Sequence, residues 1–381
     1  MIYLDNNATT AMDPRVVDVI RQVLSAGPAN ASSQHAAGRA AHGHIESALE
    51  TIGAALDTDF SLPGGPRLIF TSGGTESNNL ALTGISDAKG PLIVSRIEHP
   101  SVLAVAQAQE SAGREVRWLD ADATGVANVE NLDALIEQDG KKASLVSLMS
   151  ANNETGVIQN VEAAAAICRR AGVPLHIDAT QSIGKVPFRL SDIDAAAVTF
   201  TAHKFHGPAG VGALWLNSGV TLKPMLHGGE QQLTSRPGTE PVALVAAMAE
   251  ALRLATEQLG ENAAHMALLR DHLQTQLCER FSDIVIHGKN ASRLPGTTCL
   301  SFAETDRQSM LMALDMEGIA CSSGSACSSG SSPPSHVLLA MGVPENEVES
   351  ALRFGVSKFS TLEEVDSAIE LISNIYNRLR S

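Results

Sequence analysis

An apolar run from Ala195 to Phe200 ends at Thr201 and delivers Ala202-His203-Lys204. The run reads as a buried strand. A lysine at the end of such a strand loses solvation, which lowers its pKa and frees the amine as a nucleophile. That chemistry suits a lysine that forms a Schiff base. Taken alone, the plainer reading is a surface lysine after a strand, so the other strand ends matter. Arg67-Leu68-Ile69-Phe70 runs into Thr71-Ser72-Gly73-Gly74-Thr75. The glycines let backbone approach a ligand, and Thr75 offers a hydroxyl where a helix begins. Free N–H groups and the helix dipole there favour a phosphate. The pattern is neither a P-loop nor a dinucleotide fingerprint, and an ordinary capped turn reads the same way. Pro91 to Ser95 delivers His99, an imidazole that is either structural or able to stack on a flat cofactor. Ala143 to Met149 ends in Asn152-Asn153-Glu154-Thr155-Gly156, a turn or a hydrogen-bonding pair for a ligand oxygen. Val173 to Ile177 ends in Asp178, a carboxylate that needs a partner.

Gly74, Thr75, His99, Asn153, Asp178 and Lys204 thus all follow strands. In an open α/β sheet, that is where ligands bind. A phosphate cradle, a stacking ring, a carboxylate and an amine together describe a site for pyridoxal 5'-phosphate. The aspartate would keep the pyridine nitrogen protonated, so that the ring works as an electron sink.

The elements that position these residues read as an α/β chain. Asp13-Pro14 starts a helix that runs to about Ser25, and Gly38 to Leu56 is helical by periodicity. From about Gly238 the pattern changes. Pro241–Gly260 and Glu261–Phe281 read as long helices, followed by short strands at Asp283–His287 and Thr298–Phe302. The expected organisation is a large domain over residues 14–254 with a mixed, mostly parallel sheet. A smaller α+β domain would comprise residues 1–13 and 255–381.

At 381 residues the chain has ample apolar sequence for such a core. Its net charge of −15 argues against nucleic acid or an anionic membrane surface as a partner. No apolar run reaches the roughly 18 residues of a membrane span, and the N-terminus lacks the pattern of a signal peptide. The 5 cysteines are an odd number with no C-x-x-C pair, which fits reduced cytoplasmic thiols rather than disulfides or structural zinc. His42 and His44 point to different faces of a helix and read as surface residues, not a metal pair.

Ala320-Cys321-Ser322-Ser323-Gly324-Ser325-Ala326-Cys327 opens a stretch with the composition of a linker. A thiol inside a Ser/Gly loop can reach into a site and swing out again. Cys321, next to Ile319-Ala320, reads as a packed residue, and Cys327 as the exposed one. Near the end, Ala351 to Ser357 reads as a strand carrying Arg353. An arginine is the usual fork for a carboxylate, though a single one on a strand also suits a surface.

The chain resembles, over essentially its whole length, the cysteine desulfurases of the nitrogen-fixation and iron–sulfur assembly type within the class V aminotransferase group. The resemblance is carried by Leu4-Asp5-Asn6-Asn7-Ala8-Thr9-Thr10, by Ser72 to Asn79, by Glu98-His99 and by Asn152 to Gly156. It continues through His176 to Gln181, His203-Lys204, Arg236-Pro237-Gly238-Thr239, Gly324 to Cys327 and Leu352-Arg353-Phe354. It implies a fold-type I transferase dependent on pyridoxal 5'-phosphate, with Lys204 as the Schiff-base lysine and Asp178 as the pyridinium partner. Gln181 would bond the ring oxygen and His99 would stack. Gly74, Thr75, Thr201 and His203 would hold the phosphate, with Thr239 reaching the phosphate of the other subunit in a homodimer. Asn153 and Arg353 would bind the carboxylate of L-cysteine. Cys327 would take the sulfur as a persulfide, with His99 helping to move the thiol proton. The sulfur would pass to an acceptor protein or an iron–sulfur scaffold. No resident metal is implied, although Cys327 could transiently ligate an iron–sulfur cluster. The departures are Ala31 for a frequent Pro, Thr201 for a frequent Ser, Lys358 for a common Arg, and Pro333-Pro334 at the loop exit. A selenocysteine lyase or an aminotransferase of the same fold would share most of these residues. An inactive scaffold would have no need of Lys204, Asp178 and Cys327.

Overall fold

Short apolar runs bounded by turns become strands, and here they meet in one sheet. The computed structural model describes residues 1–85, 89–324 and 333–380. The order across the 7-stranded sheet is Arg67–Thr71, Gly212–Leu216, Ala197–Thr201, Leu175–Asp178, Leu145–Met149, Leu92–Ser95, Val116–Leu119. Gly212–Leu216 runs antiparallel to both of its neighbours, and every other adjacent pair is parallel. All the other strands therefore end at one edge. The register puts both Thr71 and Thr201 beside Gly212, and Asp178 between Met149 and Thr199.

Both faces of the sheet are covered, which explains why its strands read as nearly continuous apolar runs rather than alternating ones. Leu68, Phe70, Ile93, Val146 and Leu148 pack into a core shared with helices Pro14–Ser25, Ala36–Leu56 and Val242–Glu257. The intervening Ile69, Leu92, Val94 and Leu145 face helices Gly74–Gly84 and Pro100–Ser111.

A second core lies beyond residue 255. Ala255 is the last member of the first core, and Met266 is the first helical member of the second. Helix Leu259–Arg280, helix Leu362–Leu379 and a 3-stranded antiparallel sheet of Ile284–His287, Thr297–Phe302 and Ala351–Gly355 surround it. Leu4 packs in this core, and Ile2–Tyr3 pairs in parallel with Ile319–Ala320. The two long helices break at Gln258 rather than at Gly260, which lies inside the second helix. The strand expected to reach Ser357 stops at Gly355.

Three neighbouring strands share a polar rung inside the large sheet. His176 Nδ1 meets Ser147 Oγ at 2.9 Å and its Nε2 meets Thr199 Oγ1 at 3.0 Å. All three side chains are buried. Burial pushes the His176 imidazole down to about 4, against a smaller opposing pull from Asp178. An unfolded histidine takes its proton near pH 6.5. Between pH 6.5 and about 4 the unfolded state therefore binds more protons, so stability falls as pH drops through that window. One fully buried group with this shift contributes about 3 kcal/mol to the loss. The difference in urea midpoint between pH 7 and pH 4.5 is expected to shrink in His176→Gln. An unchanged difference would place the acid sensitivity elsewhere.

Candidate active site

A cleft of about 250 Å³ opens at the carboxyl edge of the large sheet. Lys204, Asp178, His99, Thr75, Asn153 and Arg353 all line it. Residues predicted from separate strand ends thus meet in one place.

The chain leaves Ala197–Thr201 through a tight turn over Ala202–Lys204. A side chain at Gly207 would come within 2.7 Å of Ala202 Cβ, so a glycine lets the turn close. Lys204 emerges half-buried, and its Nζ donates to the carbonyls of Asn7 at 2.6 Å and Ala8 at 2.7 Å. Asp178 is the last residue of its strand and is 5% exposed. Its Oδ2 accepts from Asn78 Nδ2 at 2.7 Å, and its Oδ1 accepts from the Thr180 N–H at 3.0 Å. Asn78 also donates to Ser101 Oγ at 2.8 Å. Behind them Glu98 is fully buried and accepts from the Met149 N–H. Burial and the nearby Asp178 carboxylate push the Glu98 carboxyl well above the usual carboxylate range.

His99 caps helix Pro100–Ser111. Its Nδ1 accepts from the Ser101 N–H at 3.1 Å. In the neutral ring the proton then sits on Nε2. Burial lowers the His99 pKa and outweighs the opposing pull of Asp178. Burial therefore favours the neutral ring, whose Nε2–H is a hydrogen-bond donor.

Helix Gly74–Gly84 starts without a side-chain cap, so its first N–H groups are open to an anion. Gly74 lies close to Thr180 and Thr201, whose nearest atoms would be 3.4 and 3.6 Å from a Cβ. Thr201 Oγ1 donates to the Val211 carbonyl at 2.8 Å, so its proton is committed inside the protein. His203 Nδ1 meets Thr9 Oγ1 at 3.2 Å, and burial together with Lys204 pushes its pKa down to about 4. Gln181 lines the cleft and donates from Nε2 to the Asn7 carbonyl at 3.1 Å.

Arg353 sits in the middle of Ala351–Gly355 and is 3% exposed, so the surface reading of this arginine does not hold. It donates from Nη2 to Asp5 Oδ1 at 2.7 Å and from Nη1 to the Asn153 carbonyl at 3.1 Å. Among the described residues its Nε has no partner, and neither do Asn153 Oδ1 and Thr180 Oγ1, although all three atoms are buried. Such atoms are costly unless a ligand satisfies them. Unpaired donors and acceptors, an uncapped helix start and a cradle without a Cβ fit a flat, phosphorylated cofactor.

Thr239 is exposed and does not line the cleft of its own chain. Cys327 lies outside the described residues. Cys321 follows Ile319–Ala320 and packs at the edge of the second core, where burial pushes its thiol up to about 12. Gly324 and Ser335, on either side of the undescribed stretch, both lie against the buried Glu154 carboxylate. The sequence reading missed the carbonyls that hold Lys204, and it missed Asn78, Ser101 and Thr180 around Asp178. Of these, Asn78 alone had a local signal, because it stands one turn after Gly74 and so on the same side of the helix.

A lysine, a carboxylate and a phosphate-ready helix start at the carboxyl edge of an open α/β sheet define a pyridoxal-phosphate-dependent enzyme of fold type I. The family model described as aminotransferase class-V matches residues 2–367. The cysteine desulfurase IscS of Dictyoglomus turgidum is 35% identical over 100% of this chain and 95% of its own length. A cysteine desulfurase of Cereibacter sphaeroides is 38% identical, covering 100% of this chain and 97% of its own. The solved NifS-like protein of Rickettsia africae superposes with a TM-score of 0.91 at 33% identity, over 99% of each chain. The chain belongs to the class-V aminotransferases, on the cysteine desulfurase branch of that family.

Purified protein is expected to be yellow. Borohydride should fix the cofactor to Lys204, and Lys204→Ala should lose the adduct by peptide mass. An adduct that maps to Lys185 or Lys223 would defeat the assignment.

Proposed function

We propose that the chain is a cysteine desulfurase that converts L-cysteine to L-alanine and takes the sulfur onto Cys327 as a persulfide. The observation that carries this reading is the convergence of Lys204, Asp178 and Arg353 on one cleft. The full-length relatives named cysteine desulfurase support it.

Bound pyridoxal 5'-phosphate supplies an electron sink for negative charge at the substrate Cα. Each oxygen of Asp178 already accepts one protein donor and keeps a lone pair to fix a protonated ring nitrogen. Lys204 would hold the cofactor through its amine, and with that amine free it would take the Cα proton. His99 lines the cleft and would stack on the cofactor ring, with its Nε2–H as a hydrogen-bond donor there. Arg353 Nε and the Asn153 side chain receive the substrate carboxylate. The start of helix Gly74–Gly84, Thr75 and His203 receive the phosphate. Because the Thr201 proton is spent on Val211, Thr201 serves here through packing beside Gly74.

The thiolate of Cys327 attacks the substrate sulfur. A sulfur–sulfur bond forms and the Cβ–S bond breaks, its electron pair staying with the carbon fragment. That fragment takes up protons and leaves as alanine. The persulfide passes to a sulfur-acceptor protein or an iron–sulfur scaffold. Thr239, exposed and away from its own cleft, suits a contact to the phosphate in a second copy, so we read the working enzyme as a homodimer. The 4 cysteines among the described residues are free, in keeping with a reducing, cytoplasmic setting.

Incubation with L-cysteine and a dithiol reductant, without keto acid, should yield alanine and sulfide, the dithiol reducing the persulfide. Alanine only with an added keto acid would indicate an aminotransferase, and turnover of selenocysteine alone would indicate a lyase. Cys327→Ser is expected to abolish alanine and sulfide while added cysteine still changes the cofactor absorbance. Cys321→Ser should keep most activity, because a packed thiol with a pKa near 12 stays protonated at neutral pH. The opposite pattern would reassign the nucleophile.

A further inference from the structure

Behind the cleft lies a second, much smaller cavity of about 30 Å³ that Lys204 and Lys185 both line. Lys185 has no role in the chemistry above. It lies four residues after Gln181, on the connection that follows the Leu175–Asp178 strand. Its Nζ donates to Gln181 Oε1 at 2.7 Å. Asn7 Nδ2 reaches the same oxygen at the longer distance of 3.4 Å. The other end of that amide, Nε2, donates to the Asn7 carbonyl, which also accepts from Lys204 Nζ.

This arrangement settles which way the Gln181 amide faces. An ammonium can only donate and a backbone carbonyl can only accept. Turning the amide over would set its NH₂ against Lys185 and its oxygen against the Asn7 oxygen. One Nε2 proton is used on Asn7, and the second is left for the cleft that Gln181 lines. A cation on Oε1 also polarises the amide and makes that proton a stronger donor.

Among the described residues, no carboxylate is prominent among the groups acting on Lys185. Burial, then Lys204 and Arg353, push its amine down to about 7. His203, His206 and Lys358 are the other titratable groups near it, with Asp13 paired behind Lys358. A neutral amine keeps N–H bonds to donate, so the contact to Gln181 holds on both sides of neutrality, while the polarising charge is present on the acid side. Keeping a cation-forming side chain here, in the absence of an anionic partner, is costly for stability alone.

We propose that Lys185 is a positioning residue that fixes and polarises the Gln181 amide so that the cleft meets a hydrogen-bond donor at the oxygen on the cofactor ring. The inference rests on the reading of Gln181 as the partner of that ring oxygen.

A donor at the ring oxygen stabilises its anionic form, so losing the donor makes the bound chromophore more basic. The test is a pH titration of the visible absorbance of the purified holoenzyme, without substrate. In Lys185→Met the midpoint is expected to rise by roughly one unit, about what one charge-assisted hydrogen bond supplies. Lys185→Arg should restore most of it. Gln181→Ala should give a rise of its own, and adding Lys185→Met to Gln181→Ala should change little more. An unmoved midpoint in Lys185→Met, or a full further rise on the Gln181→Ala background, would overturn the inference. No shift in Gln181→Ala itself would instead overturn the role read for Gln181. If Lys185→Met fails to fold, Lys185→Gln gives the same comparison with an uncharged polar side chain.

Discussion

A buried guanidinium must be neutralised, and the way Arg353 is neutralised ties the site together. Asp5 faces it at 2.7 Å, and the Asn153 carbonyl takes a second donor. Asp5 also accepts from Ser322 Oγ at 2.8 Å, while Ser322 and Arg353 exchange backbone hydrogen bonds. The N-terminal segment, the strand Ala351–Gly355, the end of the Asn152–Gly156 turn and the approach to the cysteine-bearing stretch therefore meet on one ion pair. With Asp5 fixed, Asn6 donates to the Gly355 carbonyl, and Asn7 and Ala8 present their carbonyls to Lys204. Removing Asp5 would leave the buried Arg353 charge without its counter-ion, and losing either partner would loosen the acceptors of the Lys204 amine with it.

Electrostatics in the cleft run against the balance of the whole chain. The sequence carries a net charge of −15, yet Lys204 and Arg353 line the cleft and both act on Lys185 behind it. Each carries weight in the depressed pKa values of its neighbours. His203, beside Lys204, is pushed down to about 4, and His99 is lowered as well. The acidic surplus therefore lies away from the site, where it favours solubility without competing for a phosphate or a carboxylate.

What could be read from the sequence was whatever leaves a local mark. Buried parallel strands write themselves as apolar runs, and a parallel sheet brings their ends to one edge. Asp178 and Lys204 could thus be placed together without coordinates. Resemblance then added roles for Gln181, His203 and Arg353. The partners of these residues left no such mark. Asn78 finds Asp178 100 positions away, and Asn7 finds Lys204 197 positions away. Hydrogen bonds of that reach depend on how layers stack, not on spacing along the chain. The same limit blurred Arg353: one arginine on a strand reads alike whether it is buried or wet. Element ends moved by a residue or more, as between the helices that meet at Gln258, because packing rather than composition decided them.

The contacts of the N-terminal segment also set an order in time. Residues 2–7 find their partners at Thr297, Ile319, Ala320 and Gly355. During synthesis these residues emerge long before the partners they pair with. The large sheet can collapse earlier, but Lys204 then lacks the carbonyls of Asn7 and Ala8. That amine meets both acceptors only once the strand Ala351–Gly355 has been made and holds the N-terminal segment in place.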